Sequence, residues 1–171
     1  MANDGELLCR EQWIIDAVTW DRFCATCVKL KTFNWTVVPF STEFFHIFAK
    51  HRKPELRELD IAAPGNWNWA QYFTETKADA SKGYGWTAKD VSAVLTACPI
   101  LRRLSIHISN QGLGSRANMD QELFGDDFIE ALVRYCPVLQ MLQITNYNND
   151  AQQDHTTMTF TDRSLRALAT L

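Results

Sequence analysis

The chain has 171 residues, of which 46% are hydrophobic and 22% are charged, the proportions of an ordinary folded domain. This composition excludes a disordered or collagen-like chain. The formal charge is −3, which gives no overall attraction to a polyanion. The most basic stretch, 50–53, is followed at once by Glu55 and Glu58, so nucleic acid is not an expected partner.

No apolar run approaches the roughly 20 residues that span a bilayer. The N-terminus is acidic, whereas a secretory signal begins with basic residues. We therefore expect an intracellular protein, cytoplasmic or nuclear, with no membrane partner. Five cysteines at irregular spacing predict reduced and mostly buried thiols rather than a disulfide framework.

Apolar residues at helical spacing predict five helices. In chain order they cover much of 12–25, then 42–50, 89–97, 127–135 and 162–168. Thr87 with Asp90, and Thr161 before the last helix, are suited to cap helix N-termini. A proline after the second, third and fourth helices ends each of them and turns the chain into a strand.

The segments that follow the first four helices repeat one pattern. Residues 98–106 and 136–144 both read C-P-x-L-x-x-L-x-I. Residues 27–35 keep the cysteine and the apolar frame, and residues 53–61 keep the proline and the apolar frame. The first interval between equivalent leucines is 26 residues and the next two are 45 and 38, so the longer intervals contain insertions near 62–86 and 110–126.

This pattern resembles the leucine-rich repeat of the cysteine-containing subtype, which is common in F-box substrate receptors. Thr161–Ala169 is also similar to the family's helix start, T-D-x-x-L-x-x-L. The resemblance implies an α/β leucine-rich repeat solenoid, a ribonuclease-inhibitor-like horseshoe segment with a short parallel sheet on its concave side and helices on its convex side. Residues 1–171 then form a single domain of about four repeats and a partial fifth, expected to be a fragment of a longer array. The family's usual asparagine or cysteine after the strand is replaced by Val38, Pro64, Ser109 and Tyr147.

Alternate residues of a strand point to opposite faces of its sheet. The apolar frame is therefore expected in the core: Leu30, Phe33, Trp35, Leu56, Leu59, Ile61, Leu101, Leu104, Ile106, Leu139, Leu142 and Ile144. The intervening residues form the expected concave binding face: Thr32, Asn34, Thr36, Glu58, Asp60, Arg103, Ser105, His107, Met141, Gln143 and Thr145. A protein partner suits this mixed polar face, and the alternative is a merely solvated sheet.

The first insertion is rich in aromatic residues: Trp67, Trp69, Tyr72, Tyr84 and Trp86. Large rings are frequent in interface hot spots, so this segment is a second candidate contact surface. The alternative is that the rings fold back over the ends of the helices and fill an apolar gap.

No catalytic or metal site can be assembled from the sequence. Cys24 and Cys27 have C-x-x-C spacing, but the repeat explains Cys27 and no second ligand pair accompanies them. The four histidines are scattered without metal-pair spacing. We therefore expect neither an enzyme nor a cofactor.

The expected function is protein binding, as the substrate-recognition part of an F-box type ubiquitin ligase. This expectation follows from the resemblance in repeat subtype. The alternative is a stand-alone adaptor or a structural subunit of a larger assembly, in which the convex side and the aromatic insertion dock permanently.

Overall fold

The computed structural model describes residues 15–35, 42–62, 88–109, 124–147 and 158–171. Within these ranges five helices and six strands form a mixed α/β structure. The helices are α1 (Ala17–Thr26), α2 (Thr42–Lys50), α3 (Ala88–Thr96), α4 (Asp126–Tyr135) and α5 (Asp162–Leu168). None of these five has the length and hydrophobicity needed to cross a membrane.

The helix bounds agree closely with the predicted ones. The exception is α1, which begins at Ala17 rather than near Gln12. Asp16 sets this start, because its carboxylate accepts a hydrogen bond from the N–H of Thr19 at 2.6 Å and so caps the first turn. Thr161 caps α5 as predicted, accepting from the N–H of Arg163, while Thr87 lies outside the described residues.

Four strands form a parallel sheet in the order β1-β2-β3-β5. They are β1 (Thr32–Trp35), β2 (Glu58–Ala62), β3 (Arg103–Ser109) and β5 (Met141–Tyr147), and a helix precedes each of them. Two shorter strands, β4 (Phe124–Gly125) and β6 (Met158–Thr159), pair in a second parallel sheet. The four segments predicted from the repeated pattern are thus the four neighbouring strands.

The same backbone bonds recur where each strand begins. The N–H groups of Arg57 and Glu58 both donate to the carbonyl of Lys31, at 2.8 and 3.2 Å. The next two strands repeat this pair: Arg102 and Arg103 donate to Arg57, and Gln140 and Met141 donate to Arg102. Since every pair of strands is fixed at the same point, equivalent residues of the repeats lie side by side.

The core lies between the sheet and the helices. Leucine and isoleucine of the central strands are fully buried, as in Leu59, Ile61, Leu104 and Ile106. Aromatic rings dominate the part next to α1 and α2, where the Trp35 ring stacks on Phe45 with centroids 4.8 Å apart. Such rings bury large apolar areas.

Four predicted core residues are only partly buried: Leu30, Phe33, Leu142 and Ile144. All four lie in or beside the outer strands β1 and β5. Each of these strands has one neighbour among the described residues, so its apolar side chains are covered from one side only.

Lys53 occupies the position that Cys98 and Cys136 hold in the later repeats, and it is fully buried. Its ammonium donates to the carbonyls of Cys24 and His51, both at 2.8 Å, and lies 4.9 Å from the centre of the Phe48 ring. Burial lowers the pKa of this lysine. The long side chain thus satisfies carbonyls near the ends of α1 and α2, which would otherwise lack donors.

The last helix is held to α4 by a carboxylate. Asp126 accepts from the N–H groups of Thr161 and Ser164 at 3.0 and 3.2 Å, and both hydroxyls donate to it as well. These hydrogen bonds favour the charged carboxylate and lower the pKa of Asp126 to about 2. Arg163 adds a bidentate pair with Glu130.

Removing a core leucine tests this packing. Leu101 is fully buried, so Leu101→Ala is expected to lower the free energy of unfolding by about 2–5 kcal/mol because it leaves a cavity. Leu165, which is 66% exposed, is the matched control, and Leu165→Ala is expected to change it by less than about 0.5 kcal/mol. Urea denaturation measures both, and equal small effects would contradict the proposed core.

Candidate protein-binding face

Helices cover one face of the sheet, and no described helix or strand covers the other, which we call the open face. On the open face the strand register aligns side chains in rows that run across the strands. The first row is Thr32, Glu58, Arg103 and Met141, and the second is Asn34, Asp60, Ser105 and Gln143. The third contains His107 and Thr145. Neighbouring members of a row are about 4.8 Å apart.

The predicted face residues are therefore brought together, apart from Thr36, which lies outside the described residues. They are exposed or half-exposed, whereas the residues that alternate with them in β2 and β3 are buried. Met141 contributes an apolar surface and is 39% exposed. Their role in binding stays a prediction.

Arg103 and Glu58 form an ion pair within the first row. Arg103 Nη1 lies 3.9 Å from Glu58 Oε1, and both side chains are about half exposed. A pair in such contact with water contributes little to folding, typically below about 1 kcal/mol. Both groups therefore remain available to a partner at small cost.

A polar network that sequence spacing does not reveal lies at the centre of the face. His107 Nε2 is 3.3 Å from Asp60 Oδ1, and His107 Nδ1 is 2.9 Å from the hydroxyl of Thr145. The contact with Asp60 is a close approach rather than a hydrogen bond, because Asp60 Oδ1 has no hydrogen-bond partner. The hydrogen bond between Nδ1 and the Thr145 hydroxyl runs in the direction that the imidazole tautomer sets. The three side chains come from three different strands, which is why only the register brings them together.

This network contains a hydroxyl, an imidazole and a carboxylate, the groups of a hydrolytic triad. Such a site also needs free donors aimed at a developing oxyanion. Here the backbone N–H groups of the described central strands belong to a paired parallel sheet. The observed contacts hold His107 between two neighbouring strands, and the expectation of no enzyme stays a prediction.

The described cysteines, Cys24, Cys27, Cys98 and Cys136, are all free. Burial raises the pKa of Cys24, Cys98 and Cys136 to about 12, so these thiols are protonated at neutral pH and are poor nucleophiles. Cys136 lies 3.5 Å from the carbonyl of Cys98, a contact between neighbouring repeats.

Among the described residues no three His, Cys, Asp or Glu side chains could hold one metal ion.

Two other histidines join neighbouring helical segments. His46 Nε2 lies 3.2 Å from Asp90 on α3, and His51 Nε2 lies 2.9 Å from Asp21 on α1. Asp90, predicted as part of a helix cap, is buried and also accepts from the hydroxyl of Thr42 at 3.2 Å. These contacts support a structural role for both histidines. His155 lies outside the described residues.

The aromatic insertion also lies outside the described residues, and its role as a contact surface stays a prediction. This applies to Trp67, Trp69, Tyr72, Tyr84 and Trp86.

A groove of about 650 Å³ lies on the other side of the protein, between α3 and α4. Small residues on the facing helices, Ala93 and Ala131, leave space between them, and Phe128 and Tyr135 line the same groove. The sequence patterns did not predict it, because its width depends on how two helices pack.

No protein-family model matches the chain, and no curated protein matches it. A solved structure with some similarity is the tropomodulin C-terminal domain from Caenorhabditis elegans, at 11% sequence identity over 91% of this chain and 93% of that chain. The TM-score is 0.37. A likeness of this size carries no argument about fold or function.

Thiol reactivity tests the account of the cysteines. In a Cys9→Ser background at pH 8, we expect the half-buried Cys27 to react with Ellman's reagent in the folded protein. Cys24, Cys98 and Cys136 should react only as fast as the protein unfolds, because burial keeps them protonated and inaccessible. Rapid modification of Cys24 in the folded protein, followed by mass spectrometry, would revive a reactive C-x-x-C site.

Proposed function

We propose that the chain is a leucine-rich repeat segment whose open sheet face binds another protein. The observation that carries the proposal is the in-register alignment of the predicted face residues in rows across four parallel strands. Its support is the agreement between a motif repeated four times in the sequence and four neighbouring strands at the same positions. Extended sheets of this kind give repeat proteins broad binding surfaces.

The chemistry of the face suits a protein better than a small molecule. It offers an acid, a base, amides, hydroxyls and an exposed thioether over three rows, rather than a few polar groups converging in a pocket. The network of Asp60, His107 and Thr145 holds its side chains in place before binding. Side chains that are already ordered lose less conformational entropy when a partner binds.

We further propose substrate recognition within an F-box type ubiquitin ligase as the setting. This step rests on the resemblance in repeat subtype alone, because a fold hosts many functions.

The second candidate is an adaptor or structural subunit that docks through its helices. The groove between α3 and α4 favours it, because a groove of about 650 Å³ has room for side chains of a partner helix.

Two pairs of substitutions separate these functions. Asn34→Glu with Gln143→Glu alters the open face, and Thr96→Glu with Tyr135→Glu alters the groove; all four positions are exposed, and both pairs add the same charge. The tagged variants are captured from the cells that express the protein, with circular dichroism as a check of folding. Co-purified proteins are then quantified by mass spectrometry.

We expect the face variant to lose a stoichiometric partner at least about tenfold, as burying new charges in an interface commonly does, while the groove variant retains it. Cullin-ligase subunits that remain with the wild-type chain would support the ligase setting. Loss with the groove variant alone would contradict binding at the open face and favour the adaptor.

A further inference from the structure

Three basic residues lie side by side where the strands begin. Lys31, Arg57 and Arg102 directly precede β1, β2 and β3, and the shared carbonyl bonds described above align them. All three are exposed. They are 26 and 45 residues apart in the chain, so no stretch of sequence is strongly basic. We name these three residues the basic row.

The charges of the basic row are not neutralised within the described part of the chain. None of the three forms an ion pair with a described carboxylate. The acids of the open face have other partners: Glu58 contacts Arg103 at 3.9 Å, and Asp60 contacts His107 at 3.3 Å. Neighbouring strands are about 4.8 Å apart, so the row extends about 10 Å. A chain of net charge −3 thus concentrates positive charge at the edge of the sheet where the strands begin.

We propose that the basic row binds an acidic segment of the protein partner, laid across the starts of the strands. This deepens the proposed function and rests on it. An extended peptide rises about 3.3 Å per residue, so three or four residues span the row. Guanidinium groups of Arg57 and Arg102 are suited to bidentate bonds with carboxylates, and Lys31 supplies a third charge.

Acidic peptide fits this surface better than nucleic acid does. Glu58 and Asp60 lie in the adjoining rows of the same strand, where they would repel a continuous phosphate backbone. A short acidic peptide can place its carboxylates on the basic row and its uncharged groups on the rest of the face.

The test is a titration of the purified chain into fluorescein-labelled hexaglutamate, followed by fluorescence anisotropy at low salt. The row variant carries Lys31→Gln, Arg57→Gln and Arg102→Gln. The matched control carries Lys89→Gln, Arg134→Gln and Arg166→Gln, three exposed helix residues whose loss changes the net charge equally. We expect the row variant to bind about tenfold or more weakly, since each lost exposed pair typically costs a few-fold in affinity, and the control to bind within about twofold of wild type.

Three results would overturn the inference: no binding of hexaglutamate by the wild-type chain, equal weakening in both variants, or tighter binding of a single-stranded oligonucleotide of the same charge.

The titration needs no cellular partner, so its result is separate from that of the capture experiment. A negative titration with loss of partner in the face variant would overturn the basic row alone. A positive titration with capture unaffected by the face variant would overturn the proposed binding of a protein across the face.

Discussion

The arrangement of this protein depends on the carbonyl that each strand start offers to the next one. Lys31, Arg57 and Arg102 each accept two backbone N–H groups from the following strand. A slip of one residue would break these bonds and turn the buried side chains toward water. The backbone hydrogen bonds and the burial of alternate apolar residues therefore favour the same strand register.

One register has different consequences on the two faces and at the edge of the sheet. Beneath the sheet it aligns Leu59 with Leu104 and Ile61 with Ile106, which gives the core continuous apolar layers. On the open face it joins His107 to side chains of both neighbouring strands. At the edge it gathers three distant cations into the basic row. The proposed binding chemistry would thus be a result of strand alignment rather than of any local motif.

Local features could be predicted from the sequence, and features that depend on packing could not. The helix over 42–50 and the strand frames follow from periodicity, because spacing alone decides which face is apolar. The predicted start of α1, near Gln12, was too early, because the helical spacing of apolar residues continues on the N-terminal side of Asp16, the residue that caps the helix. Lys53 in a cysteine position gave no signal, since its role depends on carbonyls of two other segments. The pairing of His107 likewise required the register of three strands.

The most direct test of the account is a measurement of couplings across hydrogen bonds by NMR in the ¹⁵N, ¹³C-labelled protein. We expect correlations from the amide nitrogens of Arg57 and Glu58 to the carbonyl carbon of Lys31, and from the amide nitrogens of Arg102 and Arg103 to the carbonyl carbon of Arg57. Correlations shifted by one residue, or a pattern of antiparallel pairs, would contradict the register. The face and the basic row would then no longer exist as described.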